Sequence, residues 1–334
     1  MHVSDSAASR TAPAAPFGAA GAAVAAGQDI TVRVPATSAN LGPGFDSLGL
    51  AVGLYDTVRV RTSAEPGTTV SISGEGAATL PTDDTHLVVR TIRETVASAG
   101  FSVPGLQLEA QNVIPHGRGL GSSASAIVSG VLAGNALLPA EQRLDAAALL
   151  DLCSRLEGHP DNVAPALAGG LAISWEEDGI FRSVSAPVHG EIIPVAAVPA
   201  TELSTESARG LLPGEVPHAA AAANSGRAAL LIHALGTEPA LLPEGTVDFL
   251  HQEYRAAAMA PSAALMLHLR KHGIAAVISG AGPTVMALAN GEAQAEQAER
   301  LIASHLAAAK TADFWRVLRL SVDRVGARVE EHQR

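Results

Sequence analysis

Alternation is the first signal in the chain. Ile30, Val32 and Val34 alternate with polar residues, the period of a half-buried strand. Val58 and Val60, then Val70 and Ile72, repeat that period around Glu65–Thr68, which predicts a hairpin. From His86 the period lengthens. Leu87, Val88, Thr91, Ile92, Thr95 and Val96 share one face of a helix that ends near Ala99. Leu106 and Leu108 begin a further strand, and apolar helical segments follow over Ser123–Leu138 and Leu144–Leu156. Strands are expected at Leu171–Trp175 and Ile192–Val198. The last third mixes a strand at Ala275–Ile278, a helix at Glu292–Ala308 and a strand at Trp315–Val322, a β-α-β-β-α-β-like half.

Composition narrows this picture. A length of 334 residues suits about two domains, and 47% hydrophobic content fills their cores. Aromatic residues make up only 3%, so those cores must be Ala, Val, Leu and Ile. The net charge of −11 argues against nucleic acid as a partner. A single cysteine, Cys153, rules out an internal disulfide and fits a reducing cytoplasm. It falls in an apolar helical pattern and reads as core. No secretory signal pattern and no long apolar segment is seen, so a cytoplasmic, non-membrane protein is expected. Residues 1–28 are mostly Ala, Gly, Ser and Pro, a composition expected to stay disordered and to be dispensable. Domains are expected over 29–185 and 186–334. The oligomeric state is not readable, and a homodimer stays open.

The chemistry centres on Pro115–Ala126, PHGRGLGSSASA. Gly117, Gly119 and Gly121 lack a Cβ, so their backbone can close on a ligand. A helix that starts just after them turns unpaired N–H groups toward the same point, which suits a phosphate. A P-loop would need Lys-Ser/Thr after its last glycine, but Gly121 is followed by Ser122 and Ser123. A Rossmann turn would need G-x-G-x-x-G and an acid about 20 residues on; the spacing here is G-x-G-x-G. The expectation is a third kind of phosphate loop, built on amides and serine hydroxyls.

Four other stretches carry candidate residues. Asn40 and Asp46 flank the tight Gly42-Pro43-Gly44 loop, where both also suit plain turn roles. Glu157, His159, Asp161 and Asn162 crowd a helix end; a carboxylate for Mg²⁺ fits better there than a histidine metal site. Arg209, on a helix opened by Ser204 or Thr205, and Arg255 suit a carboxylate, because a guanidinium binds one as a planar fork. Ser279–Val285, SGAGPTV, is a second glycine loop.

The run P-x-x-x-G-L-G-S-S-A-S at Pro115–Ser125 resembles the ATP loop of the GHMP kinases. PATSANLGPGFDSLG, Pro35–Gly49, is similar to the first motif of that family in the form carried by its homoserine-phosphorylating branch. HPDNVAP, His159–Pro165, and SGAGPTV resemble further motifs, so the similarity spans roughly 30–328. It implies an α+β, two-domain GHMP fold: a ribosomal protein S5 domain 2-like N-terminal domain with a left-handed βαβ unit, then a ferredoxin-like C-terminal domain. It implies ATP-dependent phosphorylation of the L-homoserine hydroxyl, on the way to threonine, with Mg²⁺.

By the same resemblance Pro115, His116, Gly117, Arg118, Gly119, Leu120, Gly121, Ser122, Ser123, Ala124 and Ser125, with Gly280 and Gly282, contact ATP. Ser122 or Ser123 and Glu157 hold the metal, with Asp151 an alternative to Glu157. Asp46 takes the substrate ammonium, Arg209 and Arg255 its carboxylate. Asn40 and Asn162 orient the hydroxyl, Thr205 faces it, and His159 lines the pocket. Another GHMP small-molecule kinase, or a non-catalytic ligand sensor, are the competing readings.

Overall fold

The structure is a computed structural model and describes residues 21–332. In chain order the first half contains β1 (Ala22–Ala23), β2 (Asp29–Ala39), β3 (Leu48–Ser63), β4 (Gly67–Gly74), α1 (Leu87–Ser98), β5 (Phe101–Ser102), β6 (Gly105–Asn112), α2 (Ser122–Leu137), α3 (Ala146–Glu157), α4 (Val163–Ala168), β7 (Leu171–Glu177) and β8 (Ile180–Ala186). The second half contains β9 (Ile192–Pro199), α5 (Thr205–Arg209), α6 (His218–Gly236), α7 (Leu242–Gly245), α8 (Gln252–Arg255), α9 (Ala260–Lys271), β10 (Ala275–Ile278), β11 (Val285–Asn290), α10 (Glu292–Ala308), β12 (Trp315–Arg319) and β13 (Arg328–Glu331).

Seven strands form the first sheet, in the order β13-β2-β3-β6-β4, with β7 and β8 added beside the start of β3. The long β3 serves two neighbours. Leu48–Leu50 pair with β7, and Thr57–Ser63 pair with β6. The expected hairpin is therefore corrected: β3 and β4 never pair, because β6 lies between them, antiparallel to β3 and parallel to β4. The local turn exists, with Ser63 Oγ donating to Glu65 O at 2.9 Å. Gly105 lets a third strand enter beside it. A Cβ there would lie 2.1 Å from the Glu65 carbonyl.

The N-terminal expectation also changes. Residues 21–28 are packed: β1 pairs in parallel with β5, Val24 is buried, and Gln28 donates to Leu137 O at 3.1 Å. One buried valine and shared backbone bonds hold a segment whose composition alone looks too polar and small. The disorder expected for residues 1–20 lies outside the described residues.

The second sheet, β10-β11-β9-β12, is antiparallel throughout. Numbered within its own half, that order is 2-3-1-4, the arrangement of a β-α-β-β-α-β unit. The strand expected to reach Val322 stops at Arg319. Beyond it the chain turns to the first sheet, where Val322 bridges to Val52 and β13 pairs with β2.

One hydrophobic core fills the space between the first sheet and α1–α4, with Ile92, Leu106, Val128 and Cys153 all buried. Burial pushes the Cys153 thiol pKa up, which leaves it inert. Another core joins the two sheets, and it holds Leu41, Leu120, Val198, Val277 and Met286 together. Leu41 and Leu120 come from the two loops expected to carry chemistry, so both loops are anchored where the halves meet. Among the described residues no helix is long and apolar enough to cross a membrane.

Candidate active site

The glycine turn that opens α2 has the conformation its composition calls for. Gly117, Gly119 and Gly121 all have positive φ, at 64°, 74° and 72°. Close approach makes two of them irreplaceable. A Cβ on Gly119 would lie 2.1 Å from the Ser279 carbonyl, and one on Gly121 would lie 2.1 Å from Thr37 Oγ1. The turn is thus pressed against both the first loop and the second glycine loop. Hydrogen bonds join the three: Thr37 N donates to Leu120 O at 3.1 Å, Gly280 N to Ala39 O at 3.0 Å, and Thr284 N to Arg118 O at 3.3 Å. The Ser279 hydroxyl bonds both Gly119 O and Ser38 Oγ.

At the start of α2, Gly121 takes the cap position with no side-chain cap bond, and no acidic residue occupies the first turn. The opening N–H groups and the positive end of the helix dipole therefore face outward together. Ser123 Oγ lies 2.8 Å from Glu157 Oε2. Burial raises the Glu157 pKa, opposed by the Ser123 hydrogen bond and the His159 charge. Asp151 points elsewhere: Arg155 Nε is 2.8 Å from one oxygen, and Phe181 N donates to the other at 2.9 Å.

A cavity of about 320 Å³ opens beside the turn, lined by Asp56, His86, Asn112, His116, Ser123 and Ser129 among others. Asp56 has no sequence pattern to announce it. Its buried carboxylate accepts from Val113 N and Ile114 N at 2.7 and 2.9 Å, and Ser125 Oγ reaches it at 3.3 Å. Burial raises its pKa against those bonds. A larger cavity of about 770 Å³ lies away from the glycine turns, between α3, α4 and β8, and its lining is mostly apolar.

The remaining candidates converge near the first loop. Asn40 is buried and spends its amide on backbone: Nδ2 donates to Gly280 O and Oδ1 accepts from Asp46 N, both at 2.9 Å. It therefore ties the first loop to the second glycine loop. Asn162 Oδ1 accepts from Thr37 Oγ1 at 2.8 Å. His159 Nδ1 is 2.6 Å from Oδ1 of buried Asp161. Burial alone would lower the His159 pKa, but the Asp161 bond and the Asp161 and Glu157 charges outweigh it and raise it.

Arg209 and Asp46, expected on opposite ends of a substrate, bond each other. Arg209 Nη1 and Nη2 reach the two Asp46 oxygens at 2.9 and 2.7 Å. Arg255 is only 2% exposed. Its Nε donates to Ala208 O at 3.1 Å, and Nη1 lies 3.2 Å from His251 Nδ1. It forms no salt bridge among the described residues. Burial first, then the Arg209 charge, work against its own charge. Thr205 opens α5 and is exposed. The Arg118 guanidinium is spent within the chain, on His116 O of its own turn and on Pro199 O, Ala200 O and Glu202. His251 is a further buried polar residue here, outside the stretches singled out above.

The model of the GHMP kinases N terminal domain matches residues 86–170, and that of the GHMP kinases C terminal region matches 220–308. The chain is 52% identical to a homoserine kinase of Streptomyces coelicolor over 301 residues, 90% of this chain and 94% of that one. It is 49% identical to one of Clavibacter michiganensis over 308 residues, 92% and 96% of the two chains. A crystal structure of homoserine kinase from Cytophaga hutchinsonii superposes with a TM-score of 0.81 at 28% identity, covering 90% of this chain and 97% of that one. With both family models, these relatives and the fold in agreement, the chain belongs to the GHMP kinase family and, within it, to the homoserine kinases.

Proposed function

We propose that the glycine turn binds the ATP phosphates and that the Asp46–Arg209–Arg255 cluster binds the amino-acid end of L-homoserine. The observation that carries this reading is Arg255. A guanidinium almost wholly removed from water, with no carboxylate of its own, calls for an anion from outside the chain. The homoserine carboxylate is that anion, shared with Arg209, while Asp46 takes the ammonium. Binding exchanges the internal Arg209–Asp46 pair for two pairs with one zwitterion.

The hydroxyl then falls between Arg255 and the start of α2, beside Asn162, His159 and Thr205. Asn162 Nδ2 is the hydrogen-bonding group free to orient it, because Oδ1 is held by Thr37. The opening amides of α2 and the positive-φ glycines cradle the phosphates. The cavity beside them takes the nucleoside. Ser123 and Glu157 fit Mg²⁺. They offer two oxygens at one point, and no group of three acidic, His or Cys side chains makes a metal cage among the described residues. When bound, the metal supplies charge neutralisation at the transferred phosphoryl group. The reaction occurs in the cytoplasm.

A coupled ADP-release assay tests this. L-homoserine should far exceed L-serine, mevalonate and galactose as acceptor. Arg209→Ala and Arg255→Ala should each weaken homoserine use by about 10- to 100-fold, since a hydrogen bond to a charged group contributes about 1.5–3 kcal/mol. Lysine should rescue only in part. An amino alcohol without the carboxylate should be a poor substrate and lose little more in either variant. Equal losses on both acceptors would move the arginines to the phosphoryl group instead.

A further inference from the structure

We propose that His251 is a positioning residue for the substrate-carboxylate clamp: its Nδ1 accepts a hydrogen bond from Arg255 Nη1 and so aims the guanidinium. The inference rests on the reading of Arg255 as a carboxylate ligand.

His251 is completely buried. Its two ring nitrogens face partners of opposite kind. Nε2 lies 2.7 Å from the Gly42 carbonyl, which can only accept. Nδ1 lies 3.2 Å from Arg255 Nη1, which can only donate. One arrangement satisfies both: a neutral imidazole with its proton on Nε2. A charged ring would aim an N–H at a guanidinium N–H. Burial holds the His251 pKa below its ordinary value, and the Arg255 charge acts the same way, against Asp248, Gly42 and Asp46. The groups facing the ring are therefore Asp248 Oδ2 at 3.7 Å, Arg255, and Phe45 stacked at 5.1 Å.

The consequence for Arg255 is directional. Nε is fixed on Ala208 O and Nη1 on His251, two anchors from separate parts of the chain. Nη2 has no hydrogen bond among the described residues. Phe45 carries the Arg255 and Arg209 guanidinium carbons 5.3 and 5.7 Å from its ring centre. His251 also holds the Gly42 loop, which lies next to Phe45 and Asp46. One imidazole thereby sets the spacing between the carboxylate site and the loop that carries the ammonium site.

Two substitutions separate the two nitrogens. His251→Gln can still bond Gly42 from the ε position but has no acceptor at δ. It should raise the homoserine KM about tenfold while kcat stays within about twofold. His251→Asn places an amide oxygen at δ and should keep KM within about threefold of wild type. His251→Gln, which keeps the Gly42 bond, should not change use of 3-aminopropan-1-ol, which has no carboxylate. Long-range ¹H–¹⁵N correlation on the wild-type protein should show the Nε2–H tautomer at neutral pH. Equal KM rises in both variants, an equal rise with 3-aminopropan-1-ol, or the Nδ1–H tautomer would each overturn the proposal. The spectrum decides even if His251→Gln fails to fold. Arg255→Ala, run in parallel, keeps the two readings apart. If it leaves the homoserine KM unchanged, the clamp itself falls. If it raises KM and His251→Gln does not, only the positioning role falls.

Discussion

The two ends of the site are built from different materials. At the proposed phosphate end the groups on offer belong to the backbone: three positive-φ glycines, the open start of a helix, and loops pressed together at atomic contact. At the proposed amino-acid end they belong to side chains, with Asp46, Arg209 and the His251–Arg255 pair brought together from three separate parts of the chain. A backbone site has no spare degrees of freedom, because every amide direction depends on the turn that holds it. A side-chain site can lose one member and keep the others. The first should fail abruptly and the second by degrees.

Gly119→Ala is the hardest test of that contrast. Its Cβ would collide with backbone, not with the end of a side chain, at a φ that L-residues avoid. ATP-dependent turnover should fall at least about 100-fold, with about 2–4 kcal/mol lost from stability in thermal unfolding. Near-normal turnover would show that the turn adapts.

Next in size are the oxygens proposed for the metal. Glu157→Gln should cut kcat by about 10- to 100-fold and raise the Mg²⁺ concentration needed for half-maximal rate, while homoserine KM changes little. Asp151→Asn should stay close to wild type, because Arg155 and Phe181 already occupy that carboxylate. The reverse pattern would move the metal to Asp151.

Asp46→Asn belongs to the graded end. It removes the ammonium partner and frees Arg209, so the homoserine KM should rise about tenfold. Use of 4-hydroxybutanoate, which has no ammonium, should not worsen. If it worsens equally, Asp46 acts by holding Arg209 and not by binding the substrate.

A change remote from both ends sets the baseline. Asp29 is held at a pKa of about 2, chiefly by the Arg59 hydrogen bond, which outweighs burial. Its folded pKa lies below the unfolded value of about 4, so its stabilisation is complete above that pH and fades as pH falls toward 2. Asp29→Asn should cost about 1 kcal/mol or less at pH 7, a difference that vanishes in acid melts, with both KM values unchanged.

The same division explains what could be read from the sequence. Gly117, Gly119 and Gly121 announce themselves because a backbone site needs glycine at fixed spacing within one short stretch. The partner of that turn, Ser279, is found only through the second glycine loop. The hairpin failed because a local turn signal cannot tell that β6 will enter between β3 and β4. Asp56 and His251 lie outside every stretch the sequence singled out. Each is a single buried polar residue with a backbone partner distant in sequence, so no period marks it. A histidine four residues before a candidate arginine, on one helical face, was the signal available for His251. The ordered edge at 21–28 was hidden for a related reason: Val24 alone supplies its core contact.

The return of β13 to β2 has a consequence for how the chain is made. Residues 328–331 pair with 30–33, and Asp323 accepts from Tyr55 Oη at 2.8 Å, so the first sheet is finished by residues translated after the whole of the second sheet. A nascent chain emerging N-terminus first therefore exposes one side of β2, with its unpaired amides, until residues 328–331 have emerged. Emergence of residues 328–331, and not completion of the first half, is the event that closes the first sheet.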